Sequence, residues 1–239
     1  MNGALQGRTA VLTGVGRPGQ VGEVVAQTFA RAGARLVLVD RTPDEVAARA
    51  AELRSLGAEV AAYDCDLSDV AAVDTLARTV GDAAPNGIHA LVCLAGGFAM
   101  SGPVAESDPA VFHKMLAINL TTAYLTTRAF LPALRSTRGG IVYFSAAAVL
   151  AGTSGAKMFA YAAAKSGVAA LMRAVAAEEA EAGVRANALA PTAIRTATNE
   201  QSMSGNTRYV EREQVAEITL YLCSDAAHAI TGQLIRLDA

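Results

Sequence analysis

The sequence predicts an α/β fold in which a seven-stranded parallel sheet is doubly wound and carries helices on both faces. Short β-rich runs alternate with longer helical patterns from one end of the chain to the other. Several of these runs are apolar on both faces, which is typical of strands buried between two helical layers. Strict alternation of this kind favours right-handed βαβ crossovers and therefore a parallel sheet.

The predicted strands are short, largely apolar and rich in β-branched residues. They are Arg8–Thr13, Arg35–Asp40, Glu59–Tyr63, His89–Leu94, Gly140–Phe144, Val184–Leu189 and Gln233–Leu237. The clearest helical patterns cover Gly22–Ala32, Asp44–Leu56, Leu116–Leu134 and Tyr161–Ala182. No linker and no repeat divides the chain, so we predict a single dinucleotide-binding catalytic domain over 1–239. The polar stretch 191–212 lacks periodicity and is predicted to be a substrate loop, because loops of that length usually cover a site.

Composition excludes several other classes of protein. Hydrophobic residues make up 52% of the chain and charged residues 18%, which excludes a disordered chain. The formal charge is −2 and no lysine- or arginine-rich run is present, so no nucleic-acid partner is expected. No apolar run approaches the roughly 20 residues needed to span a bilayer, so no membrane association is expected. The three cysteines and three histidines are scattered without metal-ligand spacing, and the odd cysteine count without a signal peptide predicts a cytoplasmic protein.

The first predicted strand runs through the glycine-rich turn Thr13–Gly22 directly into a helix. Glycines at such a turn let the backbone approach a pyrophosphate, and the helix N-terminus supplies free N–H groups and positive potential. Gly14, Gly19, Val21 and Gly22 are therefore predicted to bind a dinucleotide. The small residues Ala95, Gly96 and Gly97 follow the fourth strand and are predicted to line the same crevice, at the carboxyl ends of the strands.

Asp40 closes the second predicted strand, where a carboxylate can accept hydrogen bonds from a ribose diol. The same carboxylate repels a ribose phosphate, so NAD(H) is favoured over NADP(H). Arg41 is adjacent and offers two alternatives, stacking on adenine or binding a phosphate. Asp66 follows the third strand and fits either a turn cap or a contact to an adenine amino group.

Tyr161 and Lys165 are four residues apart in AYAAAK, so on a helix they share one face. An ammonium near a phenol stabilises the phenolate and is expected to lower the tyrosine pKa from its usual value of about 10. Such a tyrosine is prepared to give or take a proton near neutral pH.

Taken in order, these motifs resemble those of the short-chain dehydrogenase/reductase family over nearly the whole chain. The matching pieces are TG…G at Thr13–Gly22, DL at Asp66–Leu67, AGG at Ala95–Gly97, Asn119 in INLTTAYL, Tyr161 and Lys165, Asn187 and Pro191, and TGQ at Thr231–Gln233. The resemblance implies a Rossmann fold and an NAD(P)-dependent oxidoreductase that acts on a small-molecule substrate as a homodimer or homotetramer.

The resemblance also implies roles for individual residues. Asn119 helps a proton relay, and Lys165 also holds the nicotinamide ribose. Asp66 meets adenine, with Leu67 beside it as a cofactor-binding residue. Ile194 and Thr196 face the nicotinamide carboxamide, and Pro191 is counted with them at the cofactor site.

Two departures from the family pattern bear on the chemistry of the site. The glycine loop is two residues longer than usual, with Gln20 where the middle glycine normally falls and Gly19 available for that role. The serine that usually orients a substrate carbonyl is Ala146, and Ser145 stands one position early, which on a strand points the side chain to the other face. Two alternatives stay open: Ser145 is catalytic through a shifted alignment, or no serine takes part.

Three segments are similar to the dihydropteridine reductases and their bacterial relatives: Leu91–Phe98, Gly152–Gly155 beyond Ala146, and Pro191–Met203. Three functional hypotheses follow. The chain reduces a conjugated ring such as a quinonoid dihydropteridine, or a 3-oxoacyl-type ketone, or it binds a dinucleotide with weak or lost catalysis. The ordered set of motifs favours an active oxidoreductase over the binding hypothesis, whereas the choice between ring and ketone and the direction of the reaction stay open.

Overall fold

Seven parallel strands form one sheet in the computed structural model, which describes residues 3–203 and 205–239. The strands are β1 (Thr9–Thr13), β2 (Arg35–Asp40), β3 (Val60–Asp64), β4 (Ala90–Cys93), β5 (Gly140–Phe144), β6 (Arg185–Pro191) and β7 (Leu234–Leu237). Their order across the sheet is β3-β2-β1-β4-β5-β6-β7. The predicted doubly wound seven-stranded sheet is confirmed. Met1, Asn2 and Ser204, which fall within the predicted domain and loop, lie outside the described residues.

The helices of the described residues lie between the strands along the chain. They are α1 (Val21–Arg31), α2 (Pro43–Ser55), α3 (Val70–Ala83), α4 (Pro109–Met115), α5 (Thr122–Thr137), α6 (Phe159–Glu178), α7 (Ala197–Ser202) and α8 (Arg212–Cys223). A π-helical turn, Leu116–Thr121, joins α4 to α5. In these parts of the chain no helix is both long and apolar enough to cross a membrane.

The helices cover both faces of the sheet because alternate strand residues point to opposite sides. On β1, Ala10 and Leu12 pack into a core with α1, α2 and α8, whereas Val11 packs into a second core with α3, α5 and α6. Burial of apolar area on both sides stabilises the layers by about 25 cal/mol per Å². The sheet is thus held as the middle of three layers.

Two segments differ from the sequence-based expectation. The helix predicted over Leu116–Leu134 begins earlier, at Pro109, and contains the π-helical turn. The predicted loop 191–212 contains α7, whose first turn is capped by the Thr196 side chain, and a bridge between Ile194 and Val210. Thr196 and the bridge supply partners for backbone groups that a structureless loop would leave to water.

The crevice between β1 and β4 lies where the order of the strands reverses. The chain leaves β1 toward β2 on one side, and β4 adds on the other side, with Thr13 opposite Cys93 at the carboxyl ends. The segments that follow these strands, the glycine loop (defined as 14–22) and 94–97, are therefore neighbours. In open α/β sheets ligands bind at such a switch point.

Candidate active site

The glycine loop passes so close to its neighbours that side chains would not fit. A Cβ on Gly14 would lie 2.7 Å from the Ala95 backbone nitrogen, and Gly14 has a φ of +70° that favours glycine. A Cβ on Gly22 would lie 2.4 Å from the Gly14 carbonyl oxygen. Strand β1, helix α1 and the β4 end therefore meet at the backbone level, which leaves the start of α1 facing the crevice.

The first turn of α1 has N–H groups without a side-chain cap from its N-cap residue, Gln20. Gln20 instead donates from Nε2 to Thr198 Oγ1 at 3.0 Å, and Ala197 N–H donates to the Gly19 carbonyl at 3.0 Å. A Cβ on Gly19 would lie 2.8 Å from the Ala197 Cβ. The glycine loop therefore touches α7, and the uncapped N–H groups at the start of α1, together with the tight backbone of the loop, fit the diphosphate of a dinucleotide.

Asp40 is partly buried at the end of β2 and anchors the glycine loop. Its Oδ2 accepts a hydrogen bond from Gly16 N–H at 2.9 Å, and its Oδ1 accepts one from Arg41 N–H at 2.8 Å. The Arg41 side chain is exposed. A carboxylate and a guanidinium thus stand side by side at the edge of the crevice.

Thr13 and Asn119 hold the turn that follows β4. Thr13 Oγ1 accepts from Leu94 N–H at 3.1 Å and from Ala95 N–H at 3.2 Å. Asn119, which is 1% exposed within the π-helical turn, accepts from Gly97 N–H at 3.2 Å and donates to the Gly97 carbonyl at 3.0 Å. It also donates to the Met115 carbonyl at 3.0 Å, so its side chain ties this turn to the helix that follows it.

The turn that follows β4 passes beside the lysine of α6 at Gly96. A Cβ on Gly96 would lie 2.6 Å from Asn119 Oδ1 and 3.5 Å from Lys165 Nζ. Gly96 itself is exposed. A side chain at this position would collide with Asn119, so glycine is required where the turn passes beside the lysine.

Tyr161 and Lys165 share one face of α6, as their spacing predicts. Lys165 Nζ lies 5.7 Å from the centroid of the Tyr161 ring and donates to the Phe144 carbonyl at 2.8 Å. The Tyr161 ring meets Phe98 edge to face, with centroids 5.1 Å apart. Among the described residues, the Tyr161 hydroxyl has no hydrogen-bond partner, so it is available to a ligand.

Burial favours the uncharged form of both Tyr161 and Lys165. It raises the pKa of Tyr161 to about 12 and lowers the pKa of Lys165 to about 8, with desolvation as the cause in each case. The expectation of a lowered tyrosine pKa is therefore wrong for the chain alone. The loss of solvent around the phenol outweighs the attraction of an ammonium that is directed at the Phe144 carbonyl.

Ser145 is 3% exposed and its hydroxyl donates to the Lys165 backbone carbonyl at 2.9 Å. Its backbone continues the sheet, since Ser145 N–H donates to the Leu189 carbonyl. Ala146, the next residue, is 6% exposed and carries only a methyl group. The hydroxyl of Ser145 is thus committed to α6 and is not offered to a ligand beside Tyr161.

The remaining predicted cofactor residues are spread along the carboxyl edge of the sheet. Asp66 lies beyond β3, accepts from the Ser68 backbone N–H and hydroxyl, and has its pKa lowered by these hydrogen bonds. Leu67 beside it is buried. At the other end, Pro191 closes β6, and Ile194 and Thr196 lead into α7. The predicted adenine and nicotinamide ends are therefore on opposite sides of the switch point.

Two features of the site were not identified from the sequence. Phe98 is 57% exposed although it contacts Tyr161, and its place after AGG gave no signal by itself. Arg49 is 4% exposed and pairs with Glu23 of α1. Its signal was present in the sequence, because Val46, Arg49, Ala50 and Leu53 have the spacing of one helix face and only Arg49 is charged.

The sheet is parallel and doubly wound, a glycine loop lies at its switch point, and helix α6 carries a tyrosine–lysine pair. Together these features define the fold of a dinucleotide-dependent oxidoreductase. Comparison with known proteins supports the same class. The sequence profile of the family described as Enoyl-(Acyl carrier protein) reductase matches residues 14–239. The chain therefore belongs to the short-chain dehydrogenase/reductase family, and it is an oxidoreductase.

Individual relatives are similar over nearly their full length. Galactitol 2-dehydrogenase of Rhizobium johnstonii is 32% identical over 250 residues, which cover 98% of this chain and 95% of that protein. The 2-(S)-hydroxypropyl-CoM dehydrogenase 3 of Xanthobacter autotrophicus is 30% identical and covers 100% and 98%. The crystal structure of a short chain dehydrogenase from Mycobacterium smegmatis superimposes with a TM-score of 0.86 at 29% identity, covering 100% of this chain and 94% of that one.

Proposed function

We propose that this oxidoreductase transfers a hydride between a nicotinamide dinucleotide and a small carbonyl, alcohol or conjugated ring substrate, with Tyr161 as general acid and base. The observation that supports this best is the Tyr161 hydroxyl, which has no hydrogen-bond partner among the described residues and lies on the same face of α6 as Lys165. When bound, the dinucleotide supplies or takes up the hydride. Tyr161 gives or takes the matching proton.

The glycine loop and the carboxyl edge of the sheet would hold the dinucleotide. Gly14, Gly19, Val21 and Gly22 would face its diphosphate at the start of α1, and Ala95, Gly96 and Gly97 would line its path. Asp66 and Leu67 would lie at the adenine end. Pro191, Ile194 and Thr196 would lie at the nicotinamide end.

We infer a preference for NAD(H) over NADP(H) from Asp40. Its carboxylate stands at the end of β2 and would accept from a ribose diol while repelling a ribose phosphate. The neighbouring Arg41 side chain is exposed and is the group that would favour a phosphate, so the preference depends on Asp40.

Three residues would support Tyr161. Lys165 would hold the nicotinamide ribose and supply positive charge near the phenol. Asn119 would keep the Gly97 turn in place and assist the proton relay. Because the Ser145 hydroxyl is bonded to the Lys165 carbonyl, we propose that Ser145 positions the lysine and does not orient the substrate.

The substrate that best fits this site is a flat conjugated ring. Ala146 offers a methyl group where a carbonyl substrate would need a donor, and the exposed Phe98 ring stands edge-on to Tyr161. An electron-poor ring accepts a hydride without a serine to orient it, and an exposed aromatic side chain gains from being covered. A ketone or alcohol is the second candidate, which the names of the dehydrogenase relatives favour.

The assignment is tested with the variant Tyr161→Phe, assayed with NADH and NADPH on quinonoid dihydropteridine and 3-oxoacyl substrates. We expect turnover to fall by at least about 10²-fold with NADH binding unchanged, because the proton donor alone is removed. Unchanged turnover would contradict the role of Tyr161. Tight NADH binding by the unmodified protein without turnover on either substrate would favour the dinucleotide-binding alternative.

The two substrate classes are separated by Ala146→Ser and Phe98→Ala. If a ring is the substrate, Ala146→Ser leaves turnover of it unchanged, whereas Phe98→Ala raises its KM. A large gain in ketone reduction by Ala146→Ser with no effect of Phe98→Ala would favour the ketone. We also expect a cytoplasmic homodimer or homotetramer, which sedimentation and cell fractionation can test.

A further inference from the structure

The carboxylate of Glu23 anchors the extended glycine loop. Gly19 N–H donates to Glu23 Oε2 at 2.8 Å, and Glu23 lies in the first turn of α1. Gly19 has a φ of +70°, so its backbone is in the region that favours glycine. Glu23 therefore fixes the orientation of the peptide at which the loop turns into the helix.

A carboxylate in this place opposes the binding of an anion. The start of α1 attracts a diphosphate through its N–H groups and its dipole, and a nearby negative charge cancels part of that attraction. Glu23 is compatible with a diphosphate site only if positive charge balances it.

Two arginines supply that balance. Arg49 of α2 donates from Nη2 to Glu23 Oε1 at 2.8 Å, and Arg212 at the start of α8 places Nη1 3.6 Å from Glu23 Oε2. Arg49 also pairs with Glu52 of its own helix, and Glu52 accepts from Gln27. The loop, α1, α2 and α8 are therefore joined through the two oxygens of one carboxylate.

Burying Arg49 costs more free energy than packing alone would require. It lies on the apolar face of α2 at 4% exposure, and its Nε is buried without a hydrogen-bond partner in the described part of the chain. An apolar side chain of similar volume at such a site is often neutral or more stable. Burial of an arginine with one unsatisfied donor therefore calls for a role besides packing, and the partner of Arg49 outside its own helix is Glu23.

We propose that Arg49 and Glu23 are a positioning pair that sets the glycine loop for the diphosphate of the dinucleotide. This inference rests on the proposed function. Glu23 holds the Gly19 peptide, and Arg49 holds Glu23 and neutralises it. Neither needs to touch the dinucleotide, because both act through the Gly19 backbone and the local charge.

The test measures NADH dissociation constants and kcat at saturating NADH for four variants. Arg49→Met leaves Glu23 without its buried partner and is expected to weaken NADH binding by about tenfold or more, with kcat within about twofold. Glu52→Gln is the matched control, because it removes the other partner of Arg49 without touching Gly19, and NADH binding should stay within about twofold. The double variant Glu23→Gln/Arg49→Met should recover most of the lost affinity, since an amide oxygen still accepts from Gly19 N–H without an uncompensated charge.

Arg212→Gln is the fourth variant and guards against misfolding of Arg49→Met, because Arg212 is partly exposed. It should weaken NADH binding about two- to threefold with the thermal midpoint unchanged. Equal NADH binding by Arg49→Met and the unmodified protein, no recovery in the double variant, or no effect of Arg212→Gln if Arg49→Met does not fold, would overturn the inference. Failure of the unmodified protein to bind NADH or NADPH would overturn the proposed function itself.

Discussion

The Ser145 hydroxyl donates to the backbone carbonyl of Lys165 across 2.9 Å, while the ammonium of the same lysine donates back to the Phe144 carbonyl at 2.8 Å. The two hydrogen bonds run in opposite directions between the end of β5 and helix α6. Both side chains are buried, at 3% and 7% exposure. The lysine is therefore held at its backbone and at its charged end by two consecutive residues, the last of β5 and the one that follows it.

Replacing Ser145 tests whether this residue positions Lys165 or takes part in the reaction. Ser145→Ala removes one neutral hydrogen bond, which is worth about 1 kcal/mol, so we expect kcat to fall about five- to tenfold. Ser145→Thr keeps a hydroxyl and should retain more activity than Ser145→Ala. A loss in Ser145→Ala as large as that in Tyr161→Phe would show that the serine takes part in the reaction.

The pH dependence should differ between the two directions of the reaction. With a pKa of about 12, Tyr161 stays protonated across the working range, so the proposed proton donor for reduction is not lost at alkaline pH. Lys165 loses its proton as pH rises through about 8, and the kcat/KM for reduction should decline there. Oxidation needs the phenolate and should increase with pH.

Steady-state rates from pH 6 to 10 in both directions check this dependence. Lys165→Arg is the control, because arginine keeps its charge throughout this range and should remove the alkaline decline even if overall activity is lower. If kcat/KM for reduction declines at the same pH in Lys165→Arg, a group other than Lys165 causes the decline.

Lys165 should reduce the stability of the fold. Its pKa is lowered from 10.5 to about 8, so the unfolded chain binds the proton more tightly, and the cost of burying the charge is fully present below pH 8. Lys165→Met should therefore raise the free energy of unfolding by about 1–3 kcal/mol at pH 7 while removing activity. The gain should shrink as pH rises from about 8 to 10.5.

Urea unfolding at pH 7 and pH 10 measures this effect. Lys114→Met replaces an exposed lysine and should leave stability within about 0.5 kcal/mol. A destabilised Lys165→Met would mean that the hydrogen bond to Phe144 outweighs the desolvation of the ammonium.

Asp40 should control the choice of dinucleotide. Asp40→Asn keeps an acceptor for the Gly16 N–H but removes the charge, so the ratio of kcat/KM for NADPH over NADH should rise about tenfold or more. Asp64 lies opposite Asp40 at the end of the neighbouring strand, and Asp64→Asn is the matched control with an expected change below about twofold. An unchanged ratio in Asp40→Asn would place cofactor selection elsewhere.

The strands could be predicted from the sequence because their apolar runs are required by burial on both faces. Gly140–Phe144 and Arg35–Asp40 have the predicted bounds, and the other strands differ from theirs by one or two residues. The spacing of Tyr161 and Lys165 predicted their shared helix face. Such features depend on local periodicity alone.

What could not be predicted depends on contacts between distant segments. The π-helical turn around Asn119 leaves the apolar spacing of a helix almost unchanged, so no residue pattern indicates it. The direction of the Tyr161 pKa shift depends on how α6 packs against the sheet. The pairing of Arg49 with Glu23 joins two helices that are unrelated by any sequence spacing.

The contact between the glycine loop and α7 links the two halves of the site. Gly19 and Gln20 lie on the proposed dinucleotide side and are hydrogen-bonded to Ala197 and Thr198, which open α7 within the segment 191–212 that is expected to cover the substrate. A ligand that shifts either segment therefore shifts both. Thermodynamic linkage then requires that the dinucleotide and the substrate change each other's affinity by one common factor, although the two molecules need not meet through these residues.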